Sequence, residues 1–108
     1  MLKKQKFIEG GIYTTYNDNI GIYCGQYYDS YDIERPAFIE LKNYTGNYEK
    51  KNIEKYVKKI DVLKSGITLE AVDGTAYTYG YLGKLSDKIW GKIDRDVKYF
   101  MSLPIRKN

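Results

Sequence analysis

Hydrophobic residues alternate with small or polar residues in the first part of the chain, as expected of strands that bury one face. In residues 20–28, Ile20, Ile22 and Cys24 fall on one side, and this period of two is typical of a strand. Cys24 is therefore expected to be a small core residue rather than a reactive thiol. Comparable β-prone runs predict strands at residues 12–16, 20–28, 37–42, 60–64, 67–72 and 75–82.

Polar segments separate these predicted strands. An Asn-Asp-Asn turn at 17–19 and an Asp-Gly pair at 73–74 each predict a hairpin. Residues 29–36 are polar and acidic and end in proline, which predicts a loop, and residues 43–47 predict a turn rich in Asn and Gly.

Two segments change to helical spacing. Residues 49–59 predict a short amphipathic helix with lysines on its outer face. A longer helix is expected after Ser86, which can cap it, and before Leu103 and Pro104, which mark its end. Its apolar stripe consists of Ile89, Trp90, Ile93, Val97, Phe100 and Met101.

These elements predict one mainly β (α+β) domain over residues 1–108. The expected architecture is a small antiparallel β-barrel or curled sheet of five or six strands, with a short helix and a C-terminal helix packed on it.

The composition adds an excess of tyrosine. The chain has 13 Tyr, 3 Phe, one Cys and no His. Abundant Lys, Ile, Asn and Tyr suggest an AT-rich genome, but such coding should also raise Phe. Because the tyrosine hydroxyl needs a polar partner or water, a high ratio of Tyr to Phe favours half-exposed rings. A tyrosine surface for recognition and a coding bias combined with sheet propensity both remain open.

Three tyrosines form the sharpest candidate site. Tyr77, Tyr79 and Tyr81 would share one face of the last strand, where they could stack on bases or anchor a partner protein. They could instead pack under the last helix. Adding the nearest basic residues, the candidate partner-binding set is Tyr77, Tyr79, Tyr81, Lys84, Lys88, Lys92 and Arg95.

The charge distribution is compatible with more than one partner. The formal net charge is +4, and residues 49–108 carry thirteen basic and eight acidic side chains, a balance of +5. Such a surface permits contact with nucleic acid or with an acidic protein, and it does not require either.

The missing histidines exclude Ser-His and Cys-His nucleophilic systems and His-based metal sites. No glycine pattern for a nucleotide phosphate is present. The acidic groups Asp29, Asp32 and Glu34, and Asp94 with Asp96, do not match a calcium loop and are expected to be solvated. No metal, cofactor or internal disulfide is therefore expected. Without an apolar span or leader the chain is expected to be cytoplasmic and to have no membrane partner.

Parts of the chain resemble the MazF/PemK toxin family. The resembling pieces are Gly11-Ile12-Tyr13; Arg35-Pro36-Ala37-Phe38-Ile39 with Asn43, Thr45, Gly46 and Asn47; and Leu85-Ser86-Asp87 with Ile93, Asp94 and Val97. The resemblance implies an SH3-like barrel with a terminal helix, metal-independent RNA cleavage, and a match of Arg35 to the family's catalytic arginine. The chain departs from the family where residues 29–32 replace a Gly-rich loop, and where no threonine stands near Leu63.

Three function classes follow from these observations. The first is a non-enzymatic binding protein, encoded by a phage or mobile element, that inhibits a host protein by direct binding in the manner of an anti-CRISPR protein. The alternatives are a nucleic-acid-binding β-barrel and a MazF-like endoribonuclease with Arg35 as its catalytic residue. A homodimer through an exposed strand edge or the tyrosine face is also compatible with the sequence.

Overall fold

A computed structural model describes residues 6–15, 18–70 and 80–102 of the chain. These residues form one antiparallel sheet with the strand order β4-β3-β2-β1-β5. The elements in chain order are β1 (Gly11–Thr14), β2 (Ile20–Tyr28), β3 (Glu34–Glu40), α1 (Lys50–Val57), α2 (Val62–Ser65), β4 (Thr68–Leu69), β5 (Gly80–Lys84) and α3 (Asp87–Ser102).

The centre of the sheet is a meander of β1, β2 and β3. Ile12 pairs with Ile22 across the first hairpin, and Ile22 pairs with Ile39 across the second. β4 adds to the outer side of β3, and β5 adds to the outer side of β1. Within the described residues the two edge strands do not pair with each other, so the sheet is open. The mainly β, antiparallel class with a short helix and a C-terminal helix is confirmed, without closure into a barrel.

Alternation along the strands gives the sheet two different faces. The aliphatic face contains Ile12, Ile22 and Ile39, all fully buried in the main core. Helices α1 and α3 cover this face because each presents an apolar stripe to it, Ile53 and Val57 from α1 and Ile93 and Val97 from α3.

The opposite face is aromatic. Tyr13, Tyr23 and Phe38 form a second buried cluster, and Phe7 packs against it. Phe7 meets the rings of Tyr13 and Phe38 edge to face, with centroids 4.9 and 5.2 Å apart, a geometry that the ring quadrupoles favour. The Tyr13 hydroxyl also accepts a hydrogen bond from the Ile8 amide at 2.9 Å.

A β-bulge at Cys24 interrupts the alternation on β2. Tyr23 pairs with Phe38 while Gly25 pairs with Ala37, so Cys24 is the extra residue. Gly25 adopts a φ of 114°, a backbone conformation that residues with a side chain rarely adopt. Beyond the bulge the phase shifts, and Tyr27 packs on the aliphatic core.

The predicted core role of Cys24 is confirmed. Its thiol is buried and donates a hydrogen bond to the Ala37 carbonyl at 3.2 Å. Burial, assisted by the negative charges of Glu9 and Asp94, raises the pKa of this thiol to about 12. The thiol is therefore neutral and unreactive at physiological pH.

The two predicted amphipathic helices are also present. The Asn47 side chain accepts hydrogen bonds from the Glu49 amide and the Asn52 side-chain amide, at 3.1 and 2.7 Å, and so organises the start of α1. Helix α3 begins directly after Ser86, as predicted. The Ser86 amide donates to a Glu54 carboxylate oxygen at 2.9 Å, which ties the start of α3 to α1.

The predicted strand at residues 60–64 is wrong, because this segment turns into the short helix α2. The Asp61 carbonyl accepts hydrogen bonds from the Lys64 and Ser65 amides at 3.1 and 2.8 Å. Gly66, with a φ of 79°, then ends the turn. Val62 is buried in the main core, so a β-branched residue that favours strands in isolation is used here on a helical turn.

Other strand boundaries differ from the predictions by a few residues. β3 begins at Glu34, inside the predicted loop. Of the predicted strands at 67–72 and 75–82, the structure shows Thr68–Leu69 and Gly80–Lys84. The predicted turn at 73–74 and the predicted helix stop at Leu103 and Pro104 lie outside the described residues. Within the described part of the chain, no helix combines the length and the apolar character needed to cross a bilayer.

Candidate functional site

The structure describes one of the three tyrosines in the predicted face. Tyr81 lies on the edge strand β5 opposite Tyr13, with the two ring centroids 5.2 Å apart. It therefore extends the aromatic face, with about half of its surface exposed. Tyr77 and Tyr79 lie outside the described residues, so the shared three-tyrosine face stays a prediction.

The predicted basic residues are all exposed, but they lie on two different elements: Lys84 lies on β5, and the other three lie on α3. Lys84 ends β5 and lies 3.5 Å from the Asp87 carboxylate at the start of α3. Lys88 and Lys92 lie one turn apart on α3 and line a groove between this helix and the α1–α2 segment. Arg95 is exposed further along α3.

The hairpin tip, defined as residues 28–33 from the last residue of β2 to the residue before β3, carries an exposed apolar group that was not predicted from the sequence. Tyr28 is 62% exposed, Tyr31 is 81% exposed, and Ile33 is also exposed. Tyr28 and Ile33 stand at the base of the loop and Tyr31 stands between them. Three large side chains within six residues are thus exposed to solvent.

A carboxylate at the base of the tip holds this loop in shape. Asp29 Oδ1 accepts hydrogen bonds from the Tyr31 and Ile33 amides at 2.8 and 3.0 Å. Asp29 Oδ2 accepts from Arg35 Nε at 2.6 Å. The Asp29 amide donates to the Ile33 carbonyl at 2.9 Å, which closes the loop. One side chain therefore connects both strands to the backbone of the tip.

The charge of Asp29 is stabilised by the same contacts. The hydrogen bond from the Ile33 amide, then that from the Tyr31 amide and the Arg35 guanidinium, hold the pKa of Asp29 below its ordinary value. The carboxylate is thus ionised at neutral pH, where its hydrogen bonds are strongest. Asp32 completes the turn with a φ of 60°, a conformation that Asp accepts more readily than most residues.

A signal for this loop exists in the sequence. An Asp at the start of a polar segment favours an Asx turn, in which its side chain accepts a hydrogen bond from a backbone amide two residues later and so replaces a backbone carbonyl. Asp29 is an exception to the expectation that the acidic residues of this loop are solvated, because only 12% of its side chain is exposed and it accepts these hydrogen bonds. The exposed Tyr31 beside it was not identified from the sequence. Among the described residues, no group of three acidic or cysteine side chains could hold a metal ion.

Arg35, the residue that the MazF/PemK resemblance marks as catalytic, belongs to this network. Its guanidinium is partly buried and its Nε is committed to Asp29. The contact gives Arg35 a positioning role at the base of the tip, since it links β3 to the carboxylate that orders residues 29–33. Its assignment as a catalytic residue stays a prediction of the resemblance.

The remaining described tyrosines divide into packed and exposed rings. Tyr44 and Tyr56 pack edge to face with centroids 5.3 Å apart, against the main core. Tyr48 and Tyr99 are exposed. The hairpin tip differs from these single rings because it groups its exposed side chains on one ordered loop.

Comparisons of the chain with protein-family models, with curated proteins and with solved structures find no match.

Proposed function

We propose that this chain is a small non-enzymatic binding protein that inhibits a host protein by direct contact through its hairpin tip. The observation that carries the proposal is the exposure of Tyr28, Tyr31 and Ile33 on a loop ordered by Asp29. The composition supports an origin in a phage or other mobile element, which is the setting of anti-defence inhibitors.

The tip has the physical character of a protein-binding loop. Tyrosine supplies a large amphipathic contact area and loses little conformational freedom on binding. The Asp29 hydrogen bonds order the backbone before the partner arrives, which reduces the entropy lost in the complex. A protruding ring can enter a pocket on the partner and become a dominant contact of the interface.

The test is affinity capture from the native host with the wild-type chain and two single variants. Tyr31→Ala removes the most exposed ring of the tip, and Tyr99→Ala removes an exposed ring from α3 as the matched control. We expect wild type and Tyr99→Ala to retain one stoichiometric protein, and Tyr31→Ala to lose it. The purified target should then lose activity when wild-type protein is added.

Two outcomes would overturn this proposal. Equal capture by wild type and Tyr31→Ala would show that the tip does not bind the partner. Recovery of RNA or DNA without a protein would favour the nucleic-acid alternative, whose affinity should fall steeply as salt is raised because counterions are released on binding.

The ribonuclease alternative makes a separate prediction. RNA should be cleaved in the presence of a chelator, and Arg35→Ala should abolish that cleavage. Because Arg35 also braces the tip, Asp29→Asn serves as the control, since it disturbs the same contact and leaves the guanidinium in place. Intact RNA at high protein concentration would dismiss this alternative.

A further inference from the structure

A groove runs between the α1–α2 segment and α3. Five aliphatic residues line it. Val57, Val62 and Ile93 are buried and are called its floor, and Ile60 and Ile89 are partly exposed and are called its walls. The groove encloses about 370 Å³ and is open to solvent.

The rim of this groove is basic. Lys58 lies on the α1 side, and Lys88 and Lys92 lie on the α3 side, with Asp96 as the acidic residue among them. Within the described part of the chain, none of the three lysines takes part in an ion pair; the ion pairs there use Arg35, Lys51, Lys84 and Lys98.

The stability of the fold accounts for only part of this arrangement, since Ile60 and Ile89 pack against the main core through part of their surface. Lys88 and Lys92 are like charges one turn apart, a spacing that destabilises a helix. The rest of the Ile60 and Ile89 surface remains exposed in the lining that they share with those lysines. An apolar groove whose rim carries three lysines without ion pairs is complementary to a ligand that has an apolar stripe flanked by negative charges.

We infer that the groove between the α1–α2 segment and α3 binds an acidic amphipathic helix of a partner protein. The apolar side chains of such a helix, at intervals of three and four residues, fill the groove beside Ile60 and Ile89. Its flanking Asp and Glu side chains face Lys58, Lys88 and Lys92. The walls are aliphatic, so single-stranded nucleic acid finds no ring on which a base can stack.

The inference does not depend on the hairpin tip, and it can be tested with a defined probe. The probe is a fluorescein-labelled peptide of about 18 residues, long enough to form a helix, with Leu at helical spacing and Glu on the other face. A peptide of the same composition with the Leu residues out of register is the control ligand. Binding is measured by fluorescence anisotropy.

The variant pair is matched for charge, spacing and exposure. Lys88→Glu with Lys92→Glu reverses two charges one turn apart at the groove. Lys51→Glu with Lys55→Glu reverses two exposed charges one turn apart on α1, outside the groove lining. Both variants keep the apolar core intact, so circular dichroism should match the wild type.

We expect the amphipathic peptide to bind the wild type at least about tenfold more tightly than the Lys88→Glu, Lys92→Glu variant, since two charge contacts are reversed. The Lys51→Glu, Lys55→Glu variant should bind within about twofold of the wild type. Amide shifts caused by the peptide should centre on Ile60 and Ile89.

Three results would overturn the inference. An equal loss of peptide affinity in the two variants would mean that only net charge matters. Equal affinity for the out-of-register peptide would mean that the apolar groove does not recognise the apolar face of the helix. Full displacement of the peptide by a short single-stranded DNA would assign the rim to nucleic acid. Tyr31→Ala should leave peptide affinity unchanged, so failure of the hairpin tip and failure of the groove are distinguishable.

Discussion

The hairpin of β2 and β3 contains two regions with opposite uses of apolar surface. In the stem, Phe38 and Ile39 are fully buried, each on a different face of the sheet. In the tip, Tyr28 and Tyr31 are largely exposed although the same two strands support them. The apolar surface of the stem is buried and stabilises the fold, whereas the apolar surface of the tip remains exposed and available to a partner.

The two regions are separated by the bulge at Cys24 and by the Asp29–Arg35 contact. Up to the bulge, strict alternation assigns each β2 side chain to one of the two cores. Beyond it the phase changes and Tyr27 packs on the aliphatic core. From Asp29 onward, hydrogen bonds and the Asp29–Arg35 contact hold the tip. One hairpin therefore has a stem with fully buried apolar side chains and an exposed apolar tip.

The largest expected effect is in the stem. Phe38→Ala removes a fully buried ring that contacts Tyr13, Tyr23 and Phe7, and should lower the free energy of unfolding by about 3–5 kcal/mol. Urea denaturation followed by circular dichroism measures the change. A loss below 1 kcal/mol, on the order of a surface substitution, would contradict the claim that the aromatic face is a second core.

A smaller loss is expected at the bulge. Gly25→Ala places a side chain at a φ of 114°, with its Cβ 3.2 Å from a Glu9 carboxylate oxygen. The cost should be about 1–3 kcal/mol, the typical range for a forced backbone conformation. Gly91→Ala is the control, because its Cβ would meet no atom within 4 Å and should stabilise α3 slightly. Equal stability of the two variants would show that the bulge carries no strain.

At the base of the tip the expected effect depends on pH. The folded-state pKa of Asp29 lies below its ordinary value of 3.8. The stabilisation from its ionised form is therefore complete above that value and is lost as the pH falls through the folded-state pKa. Chemical denaturation between neutral pH and pH 3, together with amide shifts of Tyr31 and Ile33, follows the loss.

Two substitutions separate this contact from other acidic groups. Asp29→Asn should remove the part of the acid dependence that comes from the tip. Asp32→Asn should leave it in place, because the Asp32 carboxylate takes no part in the hydrogen bonds described for Asp29. The same acid dependence in wild type and Asp29→Asn would refute a bracing role for Asp29.

The smallest effect on stability is expected at the tip itself. Tyr31→Ala should change the free energy of unfolding by less than about 0.5 kcal/mol, since an exposed ring contributes little to folding. Thermal denaturation measures this change. A loss comparable to that of Phe38→Ala would show that Tyr31 is part of the folded core and would remove the contrast between stem and tip.

Much of the fold could be predicted from local pattern. The Ile20, Ile22 and Cys24 alternation identified β2 with its observed bounds, and the spacing of Ile93 and Val97 identified α3. The segment at 60–64 could not be assigned in this way, because Ile60 and Val62 favour strands on their own. In the structure, the Asp61 carbonyl accepts backbone hydrogen bonds from the Lys64 and Ser65 amides, and Val62 is buried against other elements, so the segment is helical.

The candidate sites were less predictable than the fold. Lys88 and Lys92 were identified by their helical spacing, but the apolar groove beside them depends on how α2 meets α3. Tyr31 was not identified, since one exposed ring has no periodic signal. Its position depends on the contact between Asp29 and Arg35. These residues are six positions apart in sequence, and Asp29 Oδ2 lies 2.6 Å from Arg35 Nε in the structure.

By itself, the sequence determined which residues lie on a common strand or helix face, because periods of two and of three to four residues follow from backbone geometry alone. It also determined that His-dependent chemistry is absent. The tertiary structure alone decided which apolar faces meet one another and which remain exposed. Burial depends on contacts between distant segments, and in this chain those contacts distinguish the buried rings of the aromatic face from the exposed rings of the hairpin tip.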